Sequence, residues 1–265
     1  TSVGFITPSR FVPTMGDGRV DANIAIQDRV RDHFGWSYDA DVQSARGLLA
    51  ACEQHPKSQA FRWTKQQREA TLTHLKHGLE NATLVVLVGA AATRDEVDGV
   101  WPKNTVFVAA DGAVGACLGL VEPLCVVTDL DGGEHLATAA KSGVPLVLHA
   151  HGDNQQVWTS WLNQWTNQAP PVVLTHQTHE DFDGMFNPGG FTDGDRAVCF
   201  LHWLGVPLEK TTLIGYRIDE VGQWSGTTNP SRKLEKLRWM ANILDGVHPL
   251  WQERSALWST QENSR

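Results

Sequence analysis

Asp129 and Asp131 stand two residues apart in the run Thr128-Asp129-Leu130-Asp131-Gly132, directly after the apolar stretch Leu124-Cys125-Val126-Val127. Carboxylates at that spacing beyond a strand end can point to one side and hold one hard cation. Mg²⁺ is the natural occupant: it takes oxygen ligands, keeps several waters and shares its site with substrate phosphates. The same pattern also fits a helix cap at Asp129 beside a solvated Asp131. Asp111 follows the apolar run 106–109, and Asp153 follows the run 146–148. If these strand ends converge, uncompensated carboxylates repel one another and call for a cation.

Two more clusters carry chemistry. In His149-Ala150-His151-Gly152-Asp153-Asn154, alternate residues share a face, so both imidazoles can reach one site. No third soft ligand at zinc spacing accompanies them. His149, His151 and Asn154 are therefore read as hydrogen-bonding to phosphate or substrate, with Asp153 as a metal ligand. His149 also fits a satisfied core residue. In Asn187-Pro188-Gly189-Gly190-Phe191-Thr192-Asp193-Gly194-Asp195-Arg196, Gly189 and Gly190 allow close approach of a ligand to the backbone. The helix start that follows offers free N–H groups to an anion, and Arg196 offers a forked bond to phosphate. Thr192 or Asp193 serves equally well as an ordinary cap. Gly89 opens the turn Gly89-Ala90-Ala91-Ala92-Thr93, which matches neither G-x-G-x-x-G nor G-x-x-x-x-G-K-[ST]. No Gly-x-Ser-x-Gly nucleophile elbow is present.

The elements that must position these groups are legible as short Val-rich runs at 84–88, 106–109, 124–127, 146–148, 172–174 and 212–214. Apolar on both faces and separated by helix-length segments, they read as buried parallel strands. The expectation is an α/β fold, a doubly wound and mostly parallel sheet of about six strands with helices on both faces. In such a sheet the carboxyl ends share one edge, so the groups after five of the strands should meet there: Asp111, Asp129 and Asp131, 149–154, 176–179, and Tyr216-Arg217. Residues 1–81 read as coil followed by helices, turn-like at Gly16-Asp17-Gly18, packing on an α/β domain of residues 82–265. A helix spans 40–53, and Thr64 to Gln67 fits a capping box. Trp158, Trp161 and Trp165 have core spacing. The helix 231–244 buries Leu234, Leu237, Met240, Ala241 and Leu244, leaving Lys233, Lys236 and Arg238 as a solvated face.

Composition bounds the function classes. The chain has 265 residues, 41% of them apolar and 20% charged, which excludes dominant disorder. A net charge of −8 makes nucleic acid and anionic membrane poor partners. The longest apolar run has nine residues, where a membrane helix needs about 20. Cys52, Cys117, Cys125 and Cys199 form no C-x-x-C and read as reduced, buried thiols of a cytoplasmic protein.

These motifs, in this order, resemble the archaeal 6-hydroxymethyl-7,8-dihydropterin diphosphokinase family, related in fold to the thiamin diphosphokinase catalytic domain. The resemblance extends to Phe34-Gly35-Trp36 with Asp39 and to Lys233-Leu234-Glu235-Lys236-Leu237. It implies Mg²⁺-dependent transfer of diphosphate from ATP to the hydroxymethyl group of a reduced pterin, leaving AMP, for a folate-like or methanopterin-like carrier. It also implies that Asp129, Asp131 and Asp153 hold the metal beside Asp111, while Asp193, Asp195 and Arg196 contact nucleotide or pterin. The family turn Gly-Pro-Ser after the first strand is replaced here by Gly89-Ala90-Ala91-Ala92-Thr93. The candidate bases for the substrate hydroxyl are Asp111, Asp153, His149 and His151. Two rival readings remain: a motility-associated glycosyltransferase-like enzyme using a metal-bound nucleotide sugar, and a non-catalytic ATP-binding module. The segment before the first strand is open to two roles, a lid or a subunit contact of a homo-oligomer.

Overall fold

The computed structural model describes residues 17–54, 63–165, 169–226 and 228–255. Among the described residues three helices come first: α1 (Asp17–Phe34), α2 (Tyr38–Gln54) and α3 (Lys65–Asn81). Six strands follow: β1 (Leu84–Val88), β2 (Thr105–Ala110), β3 (Cys125–Thr128), β4 (Leu146–Ala150), β5 (Val172–His176) and β6 (Thr211–Ile214). Between them run α4 (Arg94–Val97), α5 (Val114–Cys117), α6 (Gly133–Lys141), α7 (Gln155–Gln164) and α8 (Asp193–Trp203), and α9 (Pro230–Val247) follows β6.

The sheet is parallel throughout, in the order β5-β4-β3-β2-β1-β6. Its strands are apolar on both sides because each side meets a separate core. In β1, Val86 and Val88 join the core that also takes Leu48 of α2, Leu136 of α6 and Trp158 of α7. Val85 and Leu87 join the core of Val30 of α1, Leu75 of α3, Phe200 of α8 and Leu244 of α9. Full burial of one such leucine contributes about 1.5–3 kcal/mol. Thr64 caps α3 by accepting the Gln67 N–H at 3.4 Å, which anchors the start of a helix that buries Leu72, Leu75 and Leu79.

The chain steps along the sheet from β1 to β5, then returns through α8 on the opposite face and lays β6 against the far side of β1. At this reversal of strand order a crevice opens at the carboxyl edge, while the loops after β1 and β6 hold to each other, the Gly89 N–H reaching the Ile214 carbonyl at 2.8 Å and the Ala91 N–H the Gly215 carbonyl at 3.0 Å. Register aligns the neighbouring ends: Ala110 pairs with Val127 and Thr128 with Leu148. Asp111 therefore stands beside Thr128, and Asp129 follows at the next strand end.

The turn expected at Asp17 and Gly18 is instead the first turn of α1; Gly16 lies outside the described residues. Polar contacts seat this helix. The Gln27 amide donates to the Gly190 carbonyl at 3.1 Å, and Arg31 donates to the Gln177 carbonyl at 3.2 Å. No helix among the described residues is long and apolar enough to cross a membrane.

Candidate active site

The crevice is an open cleft at the carboxyl edge of the sheet. Its floor comes from the loops after β1, β2 and β3. Its walls come from the start of α8, the segment after β6, and one face of α9.

Asp111, Asp131 and Asp193 converge there, each offering a carboxylate oxygen within 4.8 Å of the others. Asp111 has a positive φ of 47° and accepts the Thr128 hydroxyl at 2.5 Å. The same hydroxyl accepts the Leu130 N–H at 2.8 Å. Leu130, also left-handed with φ 78°, has its carbonyl bonded by the Trp161 indole at 3.0 Å. Thr128 and Trp161 thus fix the turn that carries Asp129 and Asp131. Two non-glycine residues in this backbone region mark stored strain at the cleft. Gly132 is required because a Cβ there would lie 2.7 Å from the Gly112 nitrogen and 2.8 Å from the Asp111 carboxylate.

The acids repel. Burial, then the charges of Asp193, Asp131 and Asp129, push Asp111 well above the carboxylate range. Burial and the charge of Asp129 push Asp193 up to about 8, against the pull of Arg196. Asp131 is raised by burial and by Asp129, with Lys233 and Lys236 opposing. Asp129 behaves differently. Burial favours its neutral form, but the His151 ring bonded to it outweighs burial and holds the carboxyl below its ordinary range. Its Oδ1 is buried without a hydrogen-bond partner. Packed carboxylates and an orphaned carboxylate oxygen are the donor set of a hard divalent cation.

No family model matches the chain. Curated archaeal proteins do. A 6-hydroxymethyl-7,8-dihydropterin pyrophosphokinase of Methanothermobacter thermautotrophicus is 34% identical over 240 residues, 86% of this chain and 92% of that protein. The protein of the same name from Methanocaldococcus jannaschii is 36% identical over 185 residues, 66% of this chain and 70% of its own length. That of Pyrococcus furiosus is 35% identical over 151 residues, 54% of this chain, which spans 62% of that relative. The chain belongs to this pyrophosphokinase family.

Within this family member, the residues singled out in the sequence part company. Asp111, Asp129, Asp131 and Asp193 line the cleft, as does Gly89. Asp153 is outside the acidic trio, with a side chain 78% exposed and 2.5 Å from His151 Nδ1. His149 is fully buried; its ring nitrogens meet Thr175 Oγ1 at 3.0 Å and Gln177 Oε1 at 3.3 Å. It is a satisfied core residue. Asn154 stitches loops together, donating to the carbonyls of His149 at 2.8 Å and Asp129 at 3.2 Å. Gly189 and Gly190 are not among the residues that line this cleft, and both are closely packed: a Cβ on Gly190 would lie 2.6 Å from the Arg196 Cα. Asp195 is buried as the capping-box partner of Thr192, accepting the N–H groups of Phe191 at 2.5 Å and Thr192 at 2.8 Å. Arg196 is buried too, donating to Asp193 at 2.9 Å and to the Phe191 carbonyl at 2.6 Å. Of the five strand-end groups expected to meet, two stay out of the cleft lining: the one after β4 reaches it only through the His151 bond to Asp129 at 3.1 Å, and the one after β5 turns away, with His176, Gln177 and Thr178 buried and His179 bonded to Asp28 at 2.8 Å.

Lys233 and Lys236, read in the sequence as a solvated face, line the cleft with Leu237 and Met240. The spacing 233, 236, 237, 240 is one helix face, and that periodicity is the signal that identifies it. Arg238 alone of the three basic residues is exposed. Trp224, whose N–H and indole donate to Ala90 at 3.0 Å and Ala92 at 2.7 Å, fastens the segment after β6 to the Gly89 turn. All four cysteines are free and buried.

Proposed function

We propose that the chain transfers the terminal diphosphate of ATP to the hydroxymethyl oxygen of 6-hydroxymethyl-7,8-dihydropterin, releasing AMP, with Mg²⁺ as the metal, in a folate-type or methanopterin-type carrier synthesis. The observation that carries this reading is the cluster of Asp111, Asp131 and Asp193, within 4.8 Å of one another, in a chain so similar to the named pyrophosphokinases.

The donor set fits Mg²⁺, and Asp111, Asp131 and Asp193 would hold it, with Asp129 lining the same cleft. When bound, the ion would neutralise polyphosphate charge and polarise the attacked phosphorus. The protein's own groups do the rest. Thr128 orients the Asp111 carboxylate, and His151 keeps Asp129 ionised. The start of α8 brings Thr192, Asp193 and Gly194 to the cleft, where the helix terminus favours an anion. Lys233 and Lys236 place positive charge on the facing wall. His149 takes no part in proton transfer, because its ring is buried and both nitrogens are engaged. His151 opposes its own burial by bonding Asp129 and Asp153, which lifts it to about 9. At neutral pH it is an imidazolium that holds charge in place and not a base.

Nucleotide analysis of a reaction with Mg²⁺, ATP and the dihydropterin tests this. AMP and pterin diphosphate in equal amounts support it. ADP, or AMP without pterin product, contradicts it. Turnover of a nucleotide sugar without AMP would favour glycosyl transfer, and ATP binding without any product would favour a non-catalytic module.

A further inference from the structure

The motif Phe34-Gly35-Trp36 has no part in the acidic cluster, yet the fold lays it against the cleft wall. α1 ends in a Schellman motif: the Trp36 N–H reaches the Arg31 carbonyl at 2.9 Å and the Gly35 N–H reaches Asp32 at 3.3 Å. Gly35, with φ 67°, supplies the left-handed residue that this turn requires. The turn stacks Trp36 on Phe34, centroids 4.8 Å apart, and sets it 5.8 Å from the Phe191 ring.

Lys236 occupies these rings. Its Nζ lies 5.6 Å from the Trp36 centroid and 5.8 Å from that of Phe191. An ammonium over two aromatic faces is attracted by both quadrupoles. A lysine otherwise has a long flexible stem, and holding its charge at one point costs side-chain entropy. Phe191 and Lys236 both line the cleft. The ammonium is close enough to favour the ionised forms of Asp129, Asp131 and Asp153. A divalent ion on the acidic floor leaves part of a polyphosphate's charge uncompensated, and this wall carries the complementary sign.

We infer that Lys236 binds the polyphosphate of the nucleotide, and that Trp36 and Phe191 are positioning residues that hold its ammonium at the cleft. This rests on the diphosphokinase reading above. It makes the turn between α1 and α2 part of nucleotide binding.

The test uses the full chain with Lys236→Gln, Trp36→Leu, Trp36→Phe and the double variant Trp36→Leu/Lys236→Gln. Calorimetric binding of Mg-ATP without pterin is measured first, then KM for each substrate. Lys236→Gln should weaken Mg-ATP about tenfold and leave the pterin KM within about twofold. Trp36→Leu should weaken Mg-ATP about fivefold, and Trp36→Phe should restore most of that loss. The double variant should bind no worse than Lys236→Gln, because the tryptophan acts through the lysine. Multiplying losses in the double variant, a Trp36→Phe no better than Trp36→Leu, or losses confined to the pterin KM would overturn the assignment. Lys236→Gln removes the charge, keeps part of the aliphatic stem and decides the lysine's role by itself. Wild-type protein that binds Mg-ATP through Lys236 but forms no pterin diphosphate would sink the diphosphokinase reading and support the lysine. Pterin turnover with Lys236→Gln unaffected would do the reverse.

Discussion

His151 bridges two carboxylates, its Nε2 3.1 Å from Asp129 Oδ2 and its Nδ1 2.5 Å from Asp153 Oδ1. The arrangement joins the ends of β3 and β4 and explains why Asp129 is held below the ordinary carboxylate range while burial and mutual repulsion raise Asp111, Asp131 and Asp193. It also takes Asp153 away from the acidic trio and makes it the histidine's second anchor.

That bridge predicts a pH dependence. Burial lowers His151, but its bonds to Asp129 and Asp153 raise it further, from 6.5 to about 9. The folded state therefore binds this proton more tightly than the unfolded state. The resulting stability is complete below the unfolded value of 6.5 and is lost as pH rises through about 9. His151→Gln should be less stable than wild type at about pH 6, and the gap should close by about pH 10. Parallel thermal melts check this, with His151→Gln/Asp129→Asn beside them because Asp129 loses its partner in the single variant. A gap that widens with pH would contradict the bridge.

The acidic trio predicts opposite effects on stability and activity. Asp131→Asn removes one of three mutually repelling carboxylates, so the metal-free variant should melt at or above the wild-type temperature. Wild type should gain stability with Mg²⁺, by about 2.7 kcal/mol at a hundredfold excess over Kd, and the variant should gain little. Its turnover should fall by at least about 10²-fold. Melts with and without chelator, beside an activity assay, decide it.

Asp195 separates a cap from a ligand contact. Its buried carboxylate accepts two backbone N–H groups and the Thr192 hydroxyl. Asp195→Asn should cost about 1–3 kcal/mol in urea unfolding. The KM for ATP in the folded protein should change by less than about twofold. Unchanged stability with a large rise in KM would mean that the residue meets substrate.

Gly190 tests the packing role of the Gly-Gly pair. Its φ is 88°, and an added Cβ would lie 2.6 Å from the Arg196 Cα. Gly190→Ala should destabilise the protein by about 2–3 kcal/mol, read by urea unfolding. A neutral result would free this segment for the ligand-approach role that its sequence suggests.

The sheet was legible because parallel strands buried on both faces leave continuous Val-rich runs, as in Leu84–Val88. α1 was not, because polar side chains such as Gln27 and Arg31 dock it, and hydrophobic periodicity does not register them. Asp111, Asp129 and Asp131 were legible as strand-end acids. Their grouping with Asp193 was not, since that depends on where α8 returns across the sheet. Lys233 and Lys236 looked solvated because a helix face covering a cleft and one facing water use the same residue types. Only the position of α9 distinguishes them.

The most direct measurement of the central claim follows the phosphorus. ATP labelled at its β-phosphorus is incubated with the protein, Mg²⁺ and 6-hydroxymethyl-7,8-dihydropterin, and the products are separated. Diphosphate transfer predicts label in the pterin product, none in AMP, and equal amounts of the two. Label retained in ADP, or an unlabelled pterin, would contradict the account.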